Sequence, residues 1–310
     1  MTYNDLLQEL TREPHIENGS VKKAPSIVVG GMGGSALPAF ATRFLDSTIP
    51  ISTHRDYDLP EGAKTDALYI AISHSGNTAE TISFARKAKE NNFSLAVITS
   101  GGELFDFAKE SNVPYVQVPS HIQPRNALFF LLRALLVLLD RSDLLTALSD
   151  ATFDDASALK EAENLADILE DSLPIYYASR RNGFLAWVSK IHTNETAKMP
   201  AIANIFPELN HNEMQAFDMT APESVSSIAR FILLHDDEDD ARLIRRMSVF
   251  AELMRERDRS VTDISLIGGT RAAKLSRRWY VMHHVAHELA TRRGVNPEAV
   301  SMIEDFKKRL

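Results

Sequence analysis

Short apolar runs rich in β-branched residues recur along the first half of the chain, and each run is followed by apolar residues at helical spacing. A run without polar alternation is typical of a strand inside a parallel sheet, because helices cover such a strand on both faces. The alternation of strands and helices predicts βαβ units. We predict strands over residues 26–30, 67–72, 94–99 and 115–118.

The second half of the chain repeats this alternation with longer helices. We predict strands over residues 174–178, 228–234 and 261–267. Gly294 and Pro297 are stop and restart signals, so we expect C-terminal helices over 272–293 and 297–310.

Between the halves, an apolar stretch over residues 126–139 predicts a buried helix, and the polar stretch 142–160 predicts a helical linker. A chain of 310 residues exceeds what one hydrophobic core usually serves. We therefore expect two α/β domains, residues 1–150 and residues 151–310, each with a parallel sheet flanked by helices.

Composition narrows the classes of function. The formal net charge of −8 argues against nucleic acid as a partner, because binding a phosphate backbone needs clustered cations in excess. The absence of cysteine excludes disulfides and thiolate metal sites. The first 18 residues are polar, and no run of about 18 apolar residues occurs. We expect a cytoplasmic enzyme without a membrane partner.

A glycine-rich loop, residues 30–35, follows the first predicted strand and opens a helix. Backbone N–H groups can approach an anion closely in such a loop, at the positive end of the helix. The loop also satisfies the dinucleotide fingerprint through Gly31, Gly33 and Ala36, with Asp56 about twenty residues on as the ribose acid. A dinucleotide-dependent oxidoreductase therefore stays open at this point.

A second loop, residues 73–78, follows the strand predicted over 67–72. Its hydroxyls and backbone N–H groups make a concave set of donors that suits three phosphate oxygens, and a dinucleotide fold has no need of it. Thr78 alone could instead be a helix cap. The residues that we predict to bind phosphate in the two loops are Gly33, Gly34, Ser35, Ser73, Ser75 and Thr78.

The segments GGMGGSA and SHSGNTAET resemble the loops of the sugar isomerase (SIS) domain superfamily. With ITSGGEL, QPRNAL, NETAKMP and PELNHNE, the chain resembles more narrowly the bifunctional phosphoglucose/phosphomannose isomerases. The resemblance implies two SIS domains, each a three-layer αβα unit. It also implies that glucose 6-phosphate, and mannose 6-phosphate as a second substrate, are interconverted with fructose 6-phosphate through a cis-enediol, without metal or organic cofactor.

The resemblance also implies roles for four residues of this chain. Glu195 would be the base that moves a proton between C1 and C2, and Arg125 would stabilise the enediolate. His211 would open the sugar ring from the partner subunit, which makes a homodimer necessary, and Lys307, preferred over Lys308, would assist ring opening.

One departure from the family pattern bears on sugar specificity. The family often carries threonine where this chain has Glu298, and that threonine is linked to space around the C2 hydroxyl. Glu298 therefore argues against mannose 6-phosphate as a substrate more than it argues against glucose 6-phosphate. A non-catalytic phosphosugar-binding regulator is the alternative function.

Three histidines near the C-terminus form a cluster, His283, His284 and His287. His283 and His287 share a helical face, but the acid of an H-E-x-x-H zinc motif is missing. We expect packing or solvent contact for this cluster and no metal site.

Overall fold

The computed structural model describes residues 1–120, 122–218, 225–307 and 309 of the chain. The chain divides into two compact units, Met1–Ala151 and Thr152–Leu310. Each unit has its own parallel sheet with helices packed on it.

The first unit contains a five-stranded sheet with the strand order β2-β1-β3-β4-β5. Its strands are β1 Ile27–Gly30, β2 Ile51–His54, β3 Leu68–Ser73, β4 Ser94–Thr99 and β5 Tyr115–Gln117. Its α-helices are α1 Tyr3–Thr11, α2 Leu37–Leu45, α3 Ala79–Glu90, α4 Gly102–Glu110, α5 Leu128–Leu138 and α6 Ser142–Ser149. All strand pairs are parallel, and β1 pairs with β2 on one side and with β3 on the other.

Both faces of the first sheet are covered, which explains why its strands are continuous apolar runs. On one face, alternate residues of the central strands pack with Leu131 and Leu135 of α5. On the other face, Tyr69 and Val97 pack with Phe84 of α3. Every residue of β3 is buried. Full burial of a strand removes the polar alternation of a half-exposed strand.

The second unit contains a four-stranded parallel sheet with the order β7-β6-β8-β9. Its strands are β6 Leu173–Ser179, β7 Ile202–Phe206, β8 Ala229–His235 and β9 Ser260–Ser265. Its α-helices are α7 Asp155–Leu169, α8 Gly183–Glu195, α9 Ala241–Arg255, α10 Arg271–Arg292 and α11 Ser301–Lys307. An aromatic cluster of Tyr177, Phe206, Phe231 and Phe250 fills the core between this sheet and α9.

The structure confirms the seven predicted strands to within two residues and adds two that the sequence analysis missed, β2 and β7. Both are edge strands, where burial is incomplete and the apolar run is interrupted: β2 has an exposed Ser52 and β7 has an exposed Ile202.

Two helix predictions need correction. The segment 142–160 is not one helical linker, because α6 ends at Ser149 and α7 begins at Asp155, each within its own unit. The helix expected over 297–310 is shorter, and α11 begins only at Ser301. Among the helices of the described residues, none is both long and apolar enough to cross a bilayer.

Candidate functional site

The two loops with phosphate-binding character follow adjacent strands. β1 continues into the glycine loop, and β3 continues into the serine loop, residues 73–78. The sheet order reverses between β1 and β3, because the chain goes from β1 to β2 on one side and returns to β3 on the other. In open α/β sheets, ligands bind outside the carboxyl ends of the strands at such a switch point.

The glycine loop is packed tightly against the serine loop. A Cβ atom on Gly31 would lie 2.8 Å from the Ile72 carbonyl oxygen, so only glycine fits between the two strand ends. Ser35 is buried, and its Oγ accepts a hydrogen bond of 3.0 Å from the His74 backbone N–H. Gly33 is exposed and has a φ of +52°. Ser35 therefore joins the two loops, while Gly33 lies at the surface.

The serine loop is held by its own hydroxyls. The Oγ of buried Ser73 accepts from the Gly76 N–H at 3.1 Å and lies 2.9 Å from Thr78 Oγ1. Thr78 occupies the N-cap position of α3, but its side chain makes no capping hydrogen bond. The interpretation of the Thr78 side chain as a helix cap is therefore wrong. Ser75 is exposed.

A third loop, residues 99–102, supports the serine loop, a role that the sequence analysis did not predict. A Cβ atom on Gly76 would lie 1.7 Å from the Gly101 carbonyl oxygen. Ser100 donates through both its N–H and its Oγ to the His74 carbonyl, at 3.1 and 2.6 Å. The glycine pair in the segment ITSGGEL was the available signal.

His74 is a buried connection within the same edge of the sheet. Its Nε2 lies 2.9 Å from the Pro119 carbonyl oxygen. Burial lowers the pKa of His74, because a charged imidazole loses its hydration there. A neutral His74 side chain that contacts the Pro119 carbonyl is consistent with a structural role in supporting the loop.

Arg125 lies in the 3₁₀ helix Pro124–Asn126, just before α5. The side chain is only 3% exposed. This 3₁₀ helix lies next to the 3₁₀ helix Gly33–Ala36 that closes the glycine loop. The structure therefore brings Arg125 and both loops to one edge of the first sheet.

Glu195 is the last residue of α8 and is half-buried. The Lys198 Nζ donates to the Glu195 backbone carbonyl and to the carbonyls of Pro297 and Ala299. Between Pro297 and Ala299, Glu298 Oε1 lies 3.7 Å from His287 Nε2. The segment 297–299, which carries the departure from the family pattern, is thus connected directly to the turn of Glu195.

His211 ends the 3₁₀ helix Glu208–His211 and is exposed. The chain around it is anchored on both sides: Leu209 is fully buried, and the Glu213 carboxylate accepts from Tyr177 Oη and Asn204 Nδ2. The sequence did not predict these hydrogen bonds of Glu213.

Lys307 is the last residue of α11. Its side chain, and the whole of Lys308, lie outside the described residues, so the structure gives no position for either ammonium group.

Comparison with known proteins shows the family. The bacterial phospho-glucose isomerase C-terminal SIS domain model matches residues 158–310. A bifunctional phosphoglucose/phosphomannose isomerase from Caldicellulosiruptor bescii is 32% identical over 312 residues, covering 94% of this chain and 91% of the relative. The chain belongs to this family. A second family member, from Thermoplasma volcanium, is 31% identical, and the match covers 94% of this chain and 93% of the relative.

The fold of this isomerase-family chain is also found in solved structures. A hypothetical protein from Thermus thermophilus has a TM-score of 0.73 at 18% identity, covering 92% of this chain and 83% of the other. At that identity the likeness shows the fold alone. Together with the two parallel sheets, it confirms the predicted class of two SIS domains with helices flanking each sheet.

The second SIS domain has a very different switch point from the first. Its sheet reverses between β6 and β8, and the loops there carry Asp236 and Asp239, both buried. Lys274 bonds Asp236 at 2.8 Å with both side chains almost fully buried, while Asn182 and Ser179 donate to Asp239. Burial acts to raise the pKa of Asp236, but the hydrogen bonds that it accepts, from Lys274 above all, hold that pKa below its usual range. Asp236 and Glu238 form ion pairs with Lys274 and Arg181 at this edge.

The histidine cluster of this family member is packed against aromatic rings. His283 is 4% exposed and stacks on Trp279 with ring centroids 5.4 Å apart. Burial, with the neighbouring histidines, lowers the pKa of His283. Within the described residues, no group of His, Asp and Glu side chains could hold a metal ion.

Proposed function

We propose that this protein is an aldose–ketose isomerase that interconverts glucose 6-phosphate, and also mannose 6-phosphate, with fructose 6-phosphate. The observation that carries this proposal is the match with bifunctional phosphoglucose/phosphomannose isomerases over more than nine-tenths of both chains. The two phosphate-type loops at the first switch point agree with a phosphorylated substrate. We place the reaction in the cytoplasm, because doubly charged sugar phosphates do not cross a membrane unaided.

The loops of the first domain would hold the substrate phosphate. Ser73 Oγ accepts from the Gly76 N–H, so its own hydrogen is available for Thr78. With Ser73 donating, Thr78 keeps its hydroxyl hydrogen for a phosphate oxygen, as does exposed Ser75. Ser35 accepts from His74 and likewise keeps its hydrogen. The N–H groups of Gly33 and Gly34 and the amino end of α3 would complete the anion site.

Glu195 would transfer the proton. One carboxylate oxygen can remove a proton from C2 and return it to C1 on the same face of a cis-enediol. Glu195 is half-buried at the end of a helix, so a substrate can reach its carboxylate while the helix fixes its backbone. The Glu213 carboxylate is engaged by Tyr177 and Asn204 and is therefore a poor substitute for it.

Charge stabilisation and ring opening need separate groups. We assign the stabilisation of the enediolate charge to Arg125, because a guanidinium stays protonated at any working pH. We assign ring opening to His211 and Lys307, with His211 donated across a homodimer interface. The exposure of His211 on its own subunit supports donation to a partner.

The alternative, a phosphosugar-binding regulator without catalysis, is not favoured, because four curated relatives that match more than nine-tenths of the chain are named as bifunctional phosphoglucose/phosphomannose isomerases. A coupled assay with fructose 6-phosphate, following glucose 6-phosphate and mannose 6-phosphate separately, tests the proposal. We expect both products. Binding of the phosphosugars without either product would replace the isomerase by the regulator.

Glu195→Gln tests the base within the same assay. A general base typically contributes about 10² to 10⁴ in rate, so kcat should fall by that factor while substrate still binds. Glu163→Gln on α7 removes an exposed carboxylate that pairs with Lys160 and serves as the control. Retention of more than about a tenth of the activity by Glu195→Gln would remove Glu195 from this role.

The phosphate anchor has a different kinetic signature. Ser75→Ala combined with Thr78→Ala should raise KM far more than it lowers kcat, because the phosphate is held alike in the ground and transition states. An unchanged KM would take the serine loop out of the phosphate site.

Mixed dimers test the donation of His211. In a dimer of one Glu195→Gln chain and one His211→Gln chain, donation across the interface leaves one site with both groups intact. Coexpressed chains should then regain about a quarter of wild-type activity, since half of the dimers are mixed and each has one good site. No recovery would place His211 in its own subunit's site, or outside any site.

A further inference from the structure

Lys198 lies three residues beyond Glu195 and makes an unusual set of contacts. Its Nζ donates to three backbone carbonyl oxygens, those of Glu195, Ala299 at 2.5 Å and Pro297 at 3.4 Å. Its own backbone is left-handed, with a φ of 56°, and the side chain is half-buried. An ammonium group has three donors, and here three carbonyls receive them.

One of these carbonyls belongs to the end of a helix. α8 ends at Glu195, and the last carbonyls of a helix have no N–H partner in the next turn. A cation at this end is also favoured by the helix dipole. Lys198 therefore caps the turn that carries the proposed base.

The other two carbonyls lie about a hundred residues further along the chain, in the loop between α10 and α11. Glu298 lies between them in sequence and is the residue that faces His287. The Lys198 ammonium group therefore links the backbone of Glu195 to the backbone of the segment 297–299. A shift of either segment must move the other or break the lysine's hydrogen bonds.

The chemistry of the substrates makes this position sensitive. Glucose 6-phosphate and mannose 6-phosphate differ only in configuration at C2, and C2 is the carbon whose proton the base takes. A change in the direction of the Glu195 carboxylate therefore affects the two sugars unequally. Misplacement by about 1 Å can cost roughly 10² in rate.

We propose that Lys198 is a positioning residue of the isomerase, which fixes the Glu195 turn to the segment 297–299 and thereby sets both the rate of proton transfer and the preference between the C2 epimers. This inference rests on the proposed function, because it needs Glu195 as the base. It assigns a role to a residue of the NETAKMP segment that the mechanism above leaves unused.

The test compares the full-length proteins Lys198→Met, Lys198→Arg and Glu195→Gln with the matched control Lys190→Met, a half-buried lysine on α8. We expect Lys198→Met to lower kcat by about 10 to 10² with KM nearly constant, because only the reacting group is misplaced. The ratio of kcat/KM for glucose 6-phosphate to that for mannose 6-phosphate should change at least about threefold. Lys198→Arg should recover part of kcat, and Lys190→Met should resemble wild type.

Two results would overturn the inference: a kcat for Lys198→Met equal to that of Lys190→Met, or equal losses for both sugars with an unchanged epimer ratio. If Lys198→Met does not fold, the ratio measured for Lys198→Arg decides, because a displaced but charged group must still change it. An active Glu195→Gln variant would instead refute the proposed base, which separates the failure of the proposed function from that of the positioning role.

Discussion

Gly76 is the point at which the serine loop and the loop after β4 come closest, so Gly76→Ala is a sharp test of how the candidate site is built. The residue has a φ of +71°, and an added Cβ atom would lie 1.7 Å from the Gly101 carbonyl oxygen. Side-chain Cβ atoms essentially never approach another heavy atom within 3.0 Å, so the two loops must separate by about 1.3 Å.

The cost of the substitution has three parts. The left-handed backbone costs an alanine about 1–2 kcal/mol. Separation of the loops endangers hydrogen bonds between them, such as Ser100 Oγ to the His74 carbonyl and the Leu104 N–H to the Gly76 carbonyl, and the loss of two such bonds costs about 1 kcal/mol each. The lower entropy of the unfolded chain returns about 0.5–1 kcal/mol. The sum is a loss of about 3 kcal/mol.

Two glycines of the same edge act as matched controls. Gly33 also has a positive φ but has nothing within 4 Å of an added Cβ atom, so Gly33→Ala carries the backbone strain without the overlap. Gly101→Ala has neither feature. Thermal unfolding should therefore show Gly76→Ala about 6–12 °C below wild type, Gly33→Ala about 1–4 °C below and Gly101→Ala unchanged.

The KM for sugar phosphate should follow the loop geometry and rise most in Gly76→Ala. A melting temperature for Gly76→Ala within about 2 °C of that for Gly33→Ala would show that the overlap with Gly101 has no cost, contrary to this prediction.

Three further predictions concern stability. Burial raises the pKa of Glu9 to about 8, from an ordinary value of 4.5. Between these two values the folded state keeps a proton that the unfolded state releases. The free energy of unfolding is therefore highest below about pH 4.5 and falls by about 1.4 kcal/mol per pH unit up to about pH 8. Urea titrations between pH 6.5 and 8.5 should show a slope in wild type that Glu9→Gln lacks, and equal slopes would contradict the buried acid. Arg133 donates to the carbonyls of Leu10 in α1 and Leu145 in α6, so Arg133→Met should lose about 2–4 kcal/mol in urea unfolding, and a loss below about 1 kcal/mol would contradict that bridging role. Lys274→Met leaves Asp236 buried without its cation and should cost about 3–5 kcal/mol, whereas the double variant with Asp236→Asn should recover part of it; no recovery would speak against the ion pair as the cause.

Much of the site was predictable because its loops follow strands that the sequence identifies. β1 and β3 are buried on both faces and therefore appear as plain apolar runs, and the residues that follow them must lie at the carboxyl edge of a sheet. The strand pattern thereby predicts that Gly33, Ser75 and Thr78 lie at the carboxyl edge of the first sheet, and the structure has them there. The roles of Glu195 and His211 stay predictions, which rest on the resemblance of their segments to a family.

Other features of the site could not be predicted because they join residues that are distant in sequence. Ser35 and Ser73 look like simple phosphate ligands in the sequence, but the fold also makes them supports between and within loops. The edge strands β2 and β7 were missed because half-exposed strands lack a distinct pattern. The link from Lys198 to residues 297–299 has no local signal at all.

Local periodicity and contiguous motifs were enough to predict the α/β class, the two-part organisation, the family and the positions of the two loops proposed to bind phosphate. The three-dimensional fold was needed to see which hydroxyls support the loops, why Gly76 must be glycine, how Asp236 is paired at the second switch point, and how Lys198 connects Glu195 to the segment 297–299. The physical reason is that hydrogen bonds, steric overlap and desolvation act over a few ångströms in space, whereas the residues concerned are separated by up to about a hundred positions along the chain.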